Sequence, residues 1–201
     1  MKITKVCPHL KGIAALKITF EDTTELVVPQ RYCPDIYEGQ EIDCELVLRL
    51  VYLDSLKKAM EKTLNILDLR QYSKKEVEFK LVRKGFDANV AEEATLWAQG
   101  QGFIDDKSYA ESIKECYLKK GYGEYGIKNE MIKRGIDREI ISDVLEETEI
   151  SADAIISFLS KKLKSKNPEQ KEIKRAMDAL IRRGHSYEDI KSALRRYLEE
   201  V

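Results

Sequence analysis

Six residues in the middle of the chain, Gly121 to Gly126, read GYGEYG. Their spacing is that of the loops that cradle the pyrophosphate of a dinucleotide. That chemistry needs a buried strand leading into the glycines and a helix leaving them, so that phosphate rests on helix amides. Three other groups could do chemistry. Asp105 and Asp106 in GFIDD are paired carboxylates suited to a metal or to acid and base work in a hydrolase. Cys7, His9, Cys33 and Cys44 are zinc-ligand types. Tyr122 and Tyr125 stand among Lys119, Lys120 and Lys128, a mixture that suits phosphates or a protein partner and equally suits the packing of a helix corner.

Context removes most of these. The stretch before Gly121, SYAESIKECYLKK, places Tyr109, Ile113, Cys116 and Tyr117 at helical spacing, where a dinucleotide fold requires a strand. No strand carrying a ribose-binding acid follows, so the glycines read as the corner of a helical repeat and no cofactor is expected. Asp105 and Asp106 open a helix, where carboxylates satisfy free amides, and no His or carboxylate partner recurs elsewhere. Catalysis is therefore not expected. The four cysteines, Cys7, Cys33, Cys44 and Cys116, are irregularly spaced without a Cys-x-x-Cys pair, which reads as reduced thiols, with no metal site.

The chain has 201 residues, 43% of them hydrophobic, enough for packed cores but with no run that could cross a bilayer. MKITKVCPHLKG lacks the apolar run and cleavage site of a signal peptide, so a cytoplasmic protein without membrane contact is expected. The net charge of −1 conceals an uneven distribution: residues 151–201 carry 12 basic and 8 acidic residues, against 8 and 12 in 101–150. A basic C-terminal quarter attracts phosphate backbones or acidic protein surface, although solvated helix faces are also rich in charge.

The elements that must position these residues fall into two kinds. Residues 1–30 read as two or three strands, ITKV, AALKITF and ELVVP, with a turn at EDTT. From Asp43 the period becomes helical, with Leu46, Leu50, Leu53, Leu56, Met60, Leu64 and Leu67 at spacings of three and four. No convincing strand follows.

The helical part repeats. Setting Gly85, Gly135 and Gly184 in register aligns EVEFKLVRKGFD, GIKNEMIKRGID and RAMDALIRRGHS at distances of 50 and 49 residues. One apolar helix stripe recurs three times: Val77, Leu81, Val82; Ile127, Met131, Ile132; Ala176, Leu180, Ile181. Each glycine suits the left-handed residue that closes a helix, followed by Phe86, Ile136 or His185 to pack back on it. Asp87, Asp137 and Ser186 then read as N-caps, the last opening a capping box with Asp189. Helices are expected at about 54–71, 106–120 and 151–164 upstream and at 88–100, 138–148 and 187–200 downstream. The fold class is mainly α: three tandem three-helix repeats in an elongated curved array, preceded by a small β-containing segment. The expected divisions are 1–50, with sheet and a short helix, then 51–101, 102–150 and 151–201, with linkers near Ser73, Gly100 and Ser165.

Two basic residues precede each glycine, Arg83 and Lys84, Lys133 and Arg134, Arg182 and Arg183, where they also complement the helix dipole. With Tyr122, Tyr125, Lys128, Lys161, Lys162, Lys164, Arg175, Arg195 and Arg196 they are the candidate partner-binding residues.

Four stretches, LDLRQYSKKEVEFKLVRKGFD, GFIDDKSYAES, KKGYGEYGIKNEMIKRGI and RAMDALIRRGHSYEDIKSALR, resemble the RecX family of regulatory proteins over roughly residues 55 to 201. The resemblance implies a monomer that lies in the groove of the RecA recombinase filament on DNA and modulates its ATPase, strand-exchange and coprotease activities, with inhibition the expected direction and weak direct DNA binding possible. Two positions depart from that pattern: Gly126 stands where the family usually has an arginine, removing a charge from an expected contact region, and His185 replaces a common phenylalanine. The alternative from another class is a helical repeat protein that binds nucleic acid without RecA.

Overall fold

The structure, a computed structural model, describes residues 1–146, 152–163 and 168–200. It divides into two units, Met1–Asp105 and Asp106–Val201.

In the first unit β1 (Ile3–His9), β2 (Ala15–Phe20) and β3 (Glu25–Pro29) form an antiparallel meander in the order β1-β2-β3. Its register pairs Ile3 with Phe20, Ile18 with Leu26 and Leu16 with Val28, which places one face of apolar side chains inward. That face packs on α1 (Cys44–Leu67), capped by Asp43, whose carboxylate accepts from the Leu46 amide at 2.8 Å. Buried Asp54 of α1 also accepts a hydrogen bond from the Val27 amide of β3 at 2.8 Å and pairs with Lys58 at 2.6 Å. A side chain thus occupies one amide of an edge strand that would otherwise be open to other chains.

α1 crosses the division expected at residue 50. Leu50, Leu53, Leu56 and Met60 are buried as the spacing predicts, while Leu46, Leu64 and Leu67 are only half-buried and Thr63 and Ile66 are buried instead. The cause is that α1 packs on the sheet and on α3 (Ala88–Gly100), and to a smaller extent on α2 (Lys74–Val82), so its buried surface is not one stripe. These elements share one core, in which Val77, Leu81, Val90, Ala94 and Ala98 join the sheet residues.

The second unit holds six described helices: α4 (Asp106–Lys119), α5 (Glu124–Lys133), α6 (Arg138–Glu146), α7 (Ala152–Lys162), α8 (Gln170–Arg182) and α9 (Tyr187–Glu200). They form two cores. Tyr109, Ile113, Ile127, Met131, Ile141 and Val144 fill one; Ile155, Leu159, Ala176, Leu180, Ile190 and Tyr197 fill the other. Each three-helix repeat of this unit is therefore a small core of its own.

The repeated glycines close their helices as the sequence predicts. Gly85, Gly135 and Gly184 have φ of 93°, 73° and 82°, in the region that only glycine enters freely. At each, the amide of the following residue, Phe86, Ile136 or His185, reaches back five residues to the carbonyl of Leu81, Met131 or Leu180 at 3.1–3.3 Å. The glycine amides bond Val82, Ile132 and Ile181, completing the same two-bond helix stop three times. The next helices start on caps at Asp87, Asp137 and Ser186. At Ser186 the reciprocal half of the capping box differs from expectation: the Asp189 carboxylate accepts from the serine hydroxyl at 2.6 Å, the two side chains closing on each other. A full box stands instead at Ser73 and Glu76.

One expectation is corrected. Val77 and Leu81, Ile127 and Met131, Ala176 and Leu180 are buried, but Val82, Ile132 and Ile181 are 45%, 49% and 48% exposed. The stripe has two members per repeat, because the third lies about 100° round the helix from the residue before it.

Candidate functional site

The segment GYGEYG is where the second repeat meets the third. Gly121, at φ 73°, closes α4, and Gly123 is the N-cap of α5. Helices on both sides leave no strand to support a dinucleotide. Gly123 has no side chain to satisfy the first amides of α5, and the end of α8 supplies acceptors instead. The Gly123 amide donates to the Arg183 carbonyl at 3.0 Å and the Tyr125 amide to the Gly184 carbonyl at 3.1 Å. Two donors at the start of one helix thus bond carbonyls at the end of another, partial positive charge on partial negative, while the Gly126 amide bonds locally to the Gly123 carbonyl.

This contact is possible only without side chains. A Cβ on Gly123 would overlap the Gly184 carbonyl, one on Gly126 the Arg183 oxygen, and one on Gly184 the Gly126 backbone. Gly126 is therefore not an open position that has lost a contact charge; it is a point of backbone approach, and an arginine there would separate the repeats.

His185 completes the corner. It is 4% exposed, its Nε2 lies 3.1 Å from the Gly121 carbonyl, and its Nδ1 is buried without a partner. Nε2 must carry the proton to make that bond, so the neutral ring fits the corner. Burial pushes the His185 pKa below the ordinary 6.5 and the Arg183 charge acts in the same direction, against opposing effects of the Gly121 bond and Asp189.

Beside the corner lies a cleft of about 450 Å³ between the end of α4 and one face of α7. Lys119, Lys120, Lys161, Lys162 and Arg183 line it with no carboxylate, over an apolar base that includes Leu118 and Phe158. Arg183 is fixed in place: it donates to the Lys120 carbonyl at 3.3 Å, and its guanidinium lies 4.6 Å from the Phe158 ring centroid and 5.8 Å from that of Tyr122. Tyr122 in turn packs on Tyr117 at 4.8 Å, so it serves the corner, whereas Tyr125 is 59% exposed. Lys119 pairs with Glu115 on its own helix at 3.7 Å, outside the cleft, so the lining itself is wholly cationic, a chemistry suited to an anionic surface.

The structure thus brings Lys161, Lys162 and Arg183 together with Lys119 and Lys120, which the sequence presents only as neighbours of the tyrosines. Arg83 and Lys84 belong to a second basic cleft, of about 410 Å³ in the first unit, with Lys62, Lys80 and Tyr72; the guanidinium of Arg70 covers the Tyr72 ring at 3.6 Å. Arg134 is held inside its own repeat by Glu130 at 2.8 Å and by the Tyr109 hydroxyl. Burial raises the Glu130 pKa, but hydrogen bonds from Arg134 and Tyr117 outweigh it and keep that carboxyl below its usual range. Lys128, Lys133, Arg175, Arg182, Arg195 and Arg196 are exposed outside both clefts, and Lys164 lies outside the described residues. Among the described residues no group of three or more His, Cys, Asp and Glu is placed to hold a metal ion, and no helix is long and apolar enough to cross a membrane.

Fold and site together define a class: a protein of tandem three-helix domains whose glycine-closed helix ends carry cationic surface. Residues 59–95, 105–145 and 149–194 match, in order, the first, second and third three-helix domains of RecX. The chain belongs to the RecX family. It is 31% identical over 165 residues to Regulatory protein RecX of Bacillus licheniformis, covering 80% of this chain and 63% of that one. It is 30% identical over 162 residues to Regulatory protein RecX of Caldanaerobacter subterraneus subsp. tengcongensis, covering 79% and 80%. Two crystal structures share the fold. One of a regulatory protein RecX has a TM-score of 0.74 at 21% identity over 95% of this chain and 98% of that one. That of RecX from Lactobacillus salivarius has 0.66 at 24% over 74% and 99%.

Two outcomes follow from the corner. On an open helix surface Gly126→Ala would stabilise by about 1 kcal/mol; against the Arg183 carbonyl it should instead destabilise by about 1–3 kcal/mol, read from urea midpoints. The His185 charge gives a pH dependence. Above pH 6.5 neither the folded nor the unfolded chain holds the extra proton. Below it the unfolded chain takes the proton up and the folded corner resists, so stability is lost as pH falls from 6.5 through the folded pKa. His185→Phe should remove that share of the slope between pH 7.5 and 5.5; identical slopes would contradict it.

Proposed function

We propose that this chain binds the RecA recombinase filament on DNA, lying in its groove, and inhibits its ATPase, strand-exchange and coprotease activities in recombination and DNA repair. It acts as a cytoplasmic monomer and needs no catalytic centre. Family membership supports the partner, and one observation in particular supports the mode of contact: the cleft at the corner of the second and third repeats is lined by five cations and no carboxylate, Glu115 pairing with Lys119 from outside it, in a chain of net charge −1. A stoichiometric inhibitor of a polymer works by occupying surface, so placed charge is what it requires. In this reading Lys119, Lys120, Lys161 and Lys162 meet acidic RecA surface or DNA phosphates. Arg83 and Lys84 offer a second cationic patch in the first repeat. The cleft chemistry also suits phosphates alone, which is the alternative of a RecA-independent nucleic-acid-binding protein.

The deciding experiment titrates the chain into RecA assembled on single-stranded DNA and follows ATP hydrolysis. Hydrolysis should fall as the chain approaches stoichiometry. The double variant Lys161→Glu with Lys162→Glu, at two exposed positions, should need about tenfold more protein for the same effect. Unchanged hydrolysis at excess wild-type chain would overturn the proposal; equal binding to bare DNA with and without RecA would favour the alternative.

A further inference from the structure

Most exposed apolar residues on a protein surface need no explanation, since they are scattered singly. Here one group recurs at a fixed register, one member on each of three helices. Counting positions from the helix-closing glycine of each repeat, the large apolar residues that are exposed among the described residues fall in registers used once, with a single exception. Three residues before each glycine stand Val82, Ile132 and Ile181, at 45%, 49% and 48% exposure. Their carbonyls serve the helix stop, but that use is indifferent to the side chain. A branched aliphatic residue there is a poorer helix former than lysine or glutamine, so neither the fold nor propensity requires it.

Each is followed by an exposed cation, Arg83, Lys133 or Arg182. Of the paired basic residues, Arg134 and Arg183 are held within the protein, whereas the first member of each pair is exposed in all three repeats. The repeated surface unit is therefore an aliphatic side chain with one cation beside it, at the end of a helix closed by the same two-bond stop.

We infer that these three pairs are one docking element used three times, for an acidic and partly apolar protein surface presented by successive identical subunits of a polymer. Charge complementarity selects the acidic partner. The aliphatic member selects protein over nucleic acid, because it offers bases no ring to stack on. Threefold use of one chemistry selects a partner that repeats, since several weak equivalent contacts reinforce one another only when the partner offers several equivalent surfaces. The inference rests on the proposal that the polymer is the RecA filament, and it adds that the filament is gripped through apolar contacts as well as through the cationic clefts, one of which Arg83 lines.

The test measures binding of fluorescently labelled chain to RecA held on single-stranded DNA by a slowly hydrolysed ATP analogue, and to bare single-stranded DNA. Val82→Gln, Ile132→Gln and Ile181→Gln should each weaken filament binding by about tenfold, and the triple variant by at least about a hundredfold, with binding to bare DNA unchanged. Thermal unfolding of the single variants should match wild type, because the positions are exposed; should the triple variant fold poorly, the singles decide. Single or triple variants that bind the filament as tightly as wild type would overturn the inference and leave the proposed function standing. Equal losses on bare DNA would overturn it in favour of a nucleic-acid contact. A wild-type chain that does not bind the filament overturns the proposed function, and the inference with it.

Discussion

The second unit depends on one contact between helix ends. α5 begins without a side-chain cap, and two amides at its start, those of Gly123 and Tyr125, donate to the carbonyls of Arg183 and Gly184 in the turn that ends α8. Three glycines, Gly123, Gly126 and Gly184, let the two backbones meet at this distance. Most helix ends are satisfied locally, by a cap residue or a helix stop. Here the satisfaction is long-range, so the second and third repeats, whose cores are separate, are joined by backbone hydrogen bonds. Everything nearby follows from it: His185 fills the corner, Arg183 is oriented across Phe158 and Tyr122, and the ends of α4 and α7 are left lining a cationic cleft.

Much of this was legible in the sequence wherever the cause is local. The helix stops at Gly85, Gly135 and Gly184 depend on a left-handed residue and the apolar or aromatic residue after it, and both are visible in a twelve-residue window. So are the caps at Asp87 and Asp137. The repeat itself is a comparison of such windows. The burial of Val77, Leu81, Ile127 and Met131 follows from helical period alone.

What the sequence did not disclose is long-range. Val82, Ile132 and Ile181 belong to the stripe by hydropathy and are excluded from the core by which face each helix turns to its neighbours. Gly126 looked like a missing charge because nothing local shows that the Arg183 carbonyl lies against it. The sharing of one core between the sheet and the first repeat depends on α1 packing on the sheet on one side and on other helices elsewhere, which a one-stripe reading of its leucines cannot represent. The cleft escaped for the same reason: Lys119 and Lys120 are some forty residues from Lys161 and Lys162, and only packing makes them neighbours.

At the corner of the second and third repeats the helix ends place charge in one cleft, and the proposed function rests on that cleft. The account is tested most directly by a photo-crosslinking residue placed at Ser157, an exposed residue that lines the cleft with the two lysine pairs. Illuminated with RecA on single-stranded DNA, it should give a covalent adduct with RecA that competes away with unmodified chain. An adduct with DNA alone, or none while the chain is bound to the filament, would contradict the cleft as the site of contact.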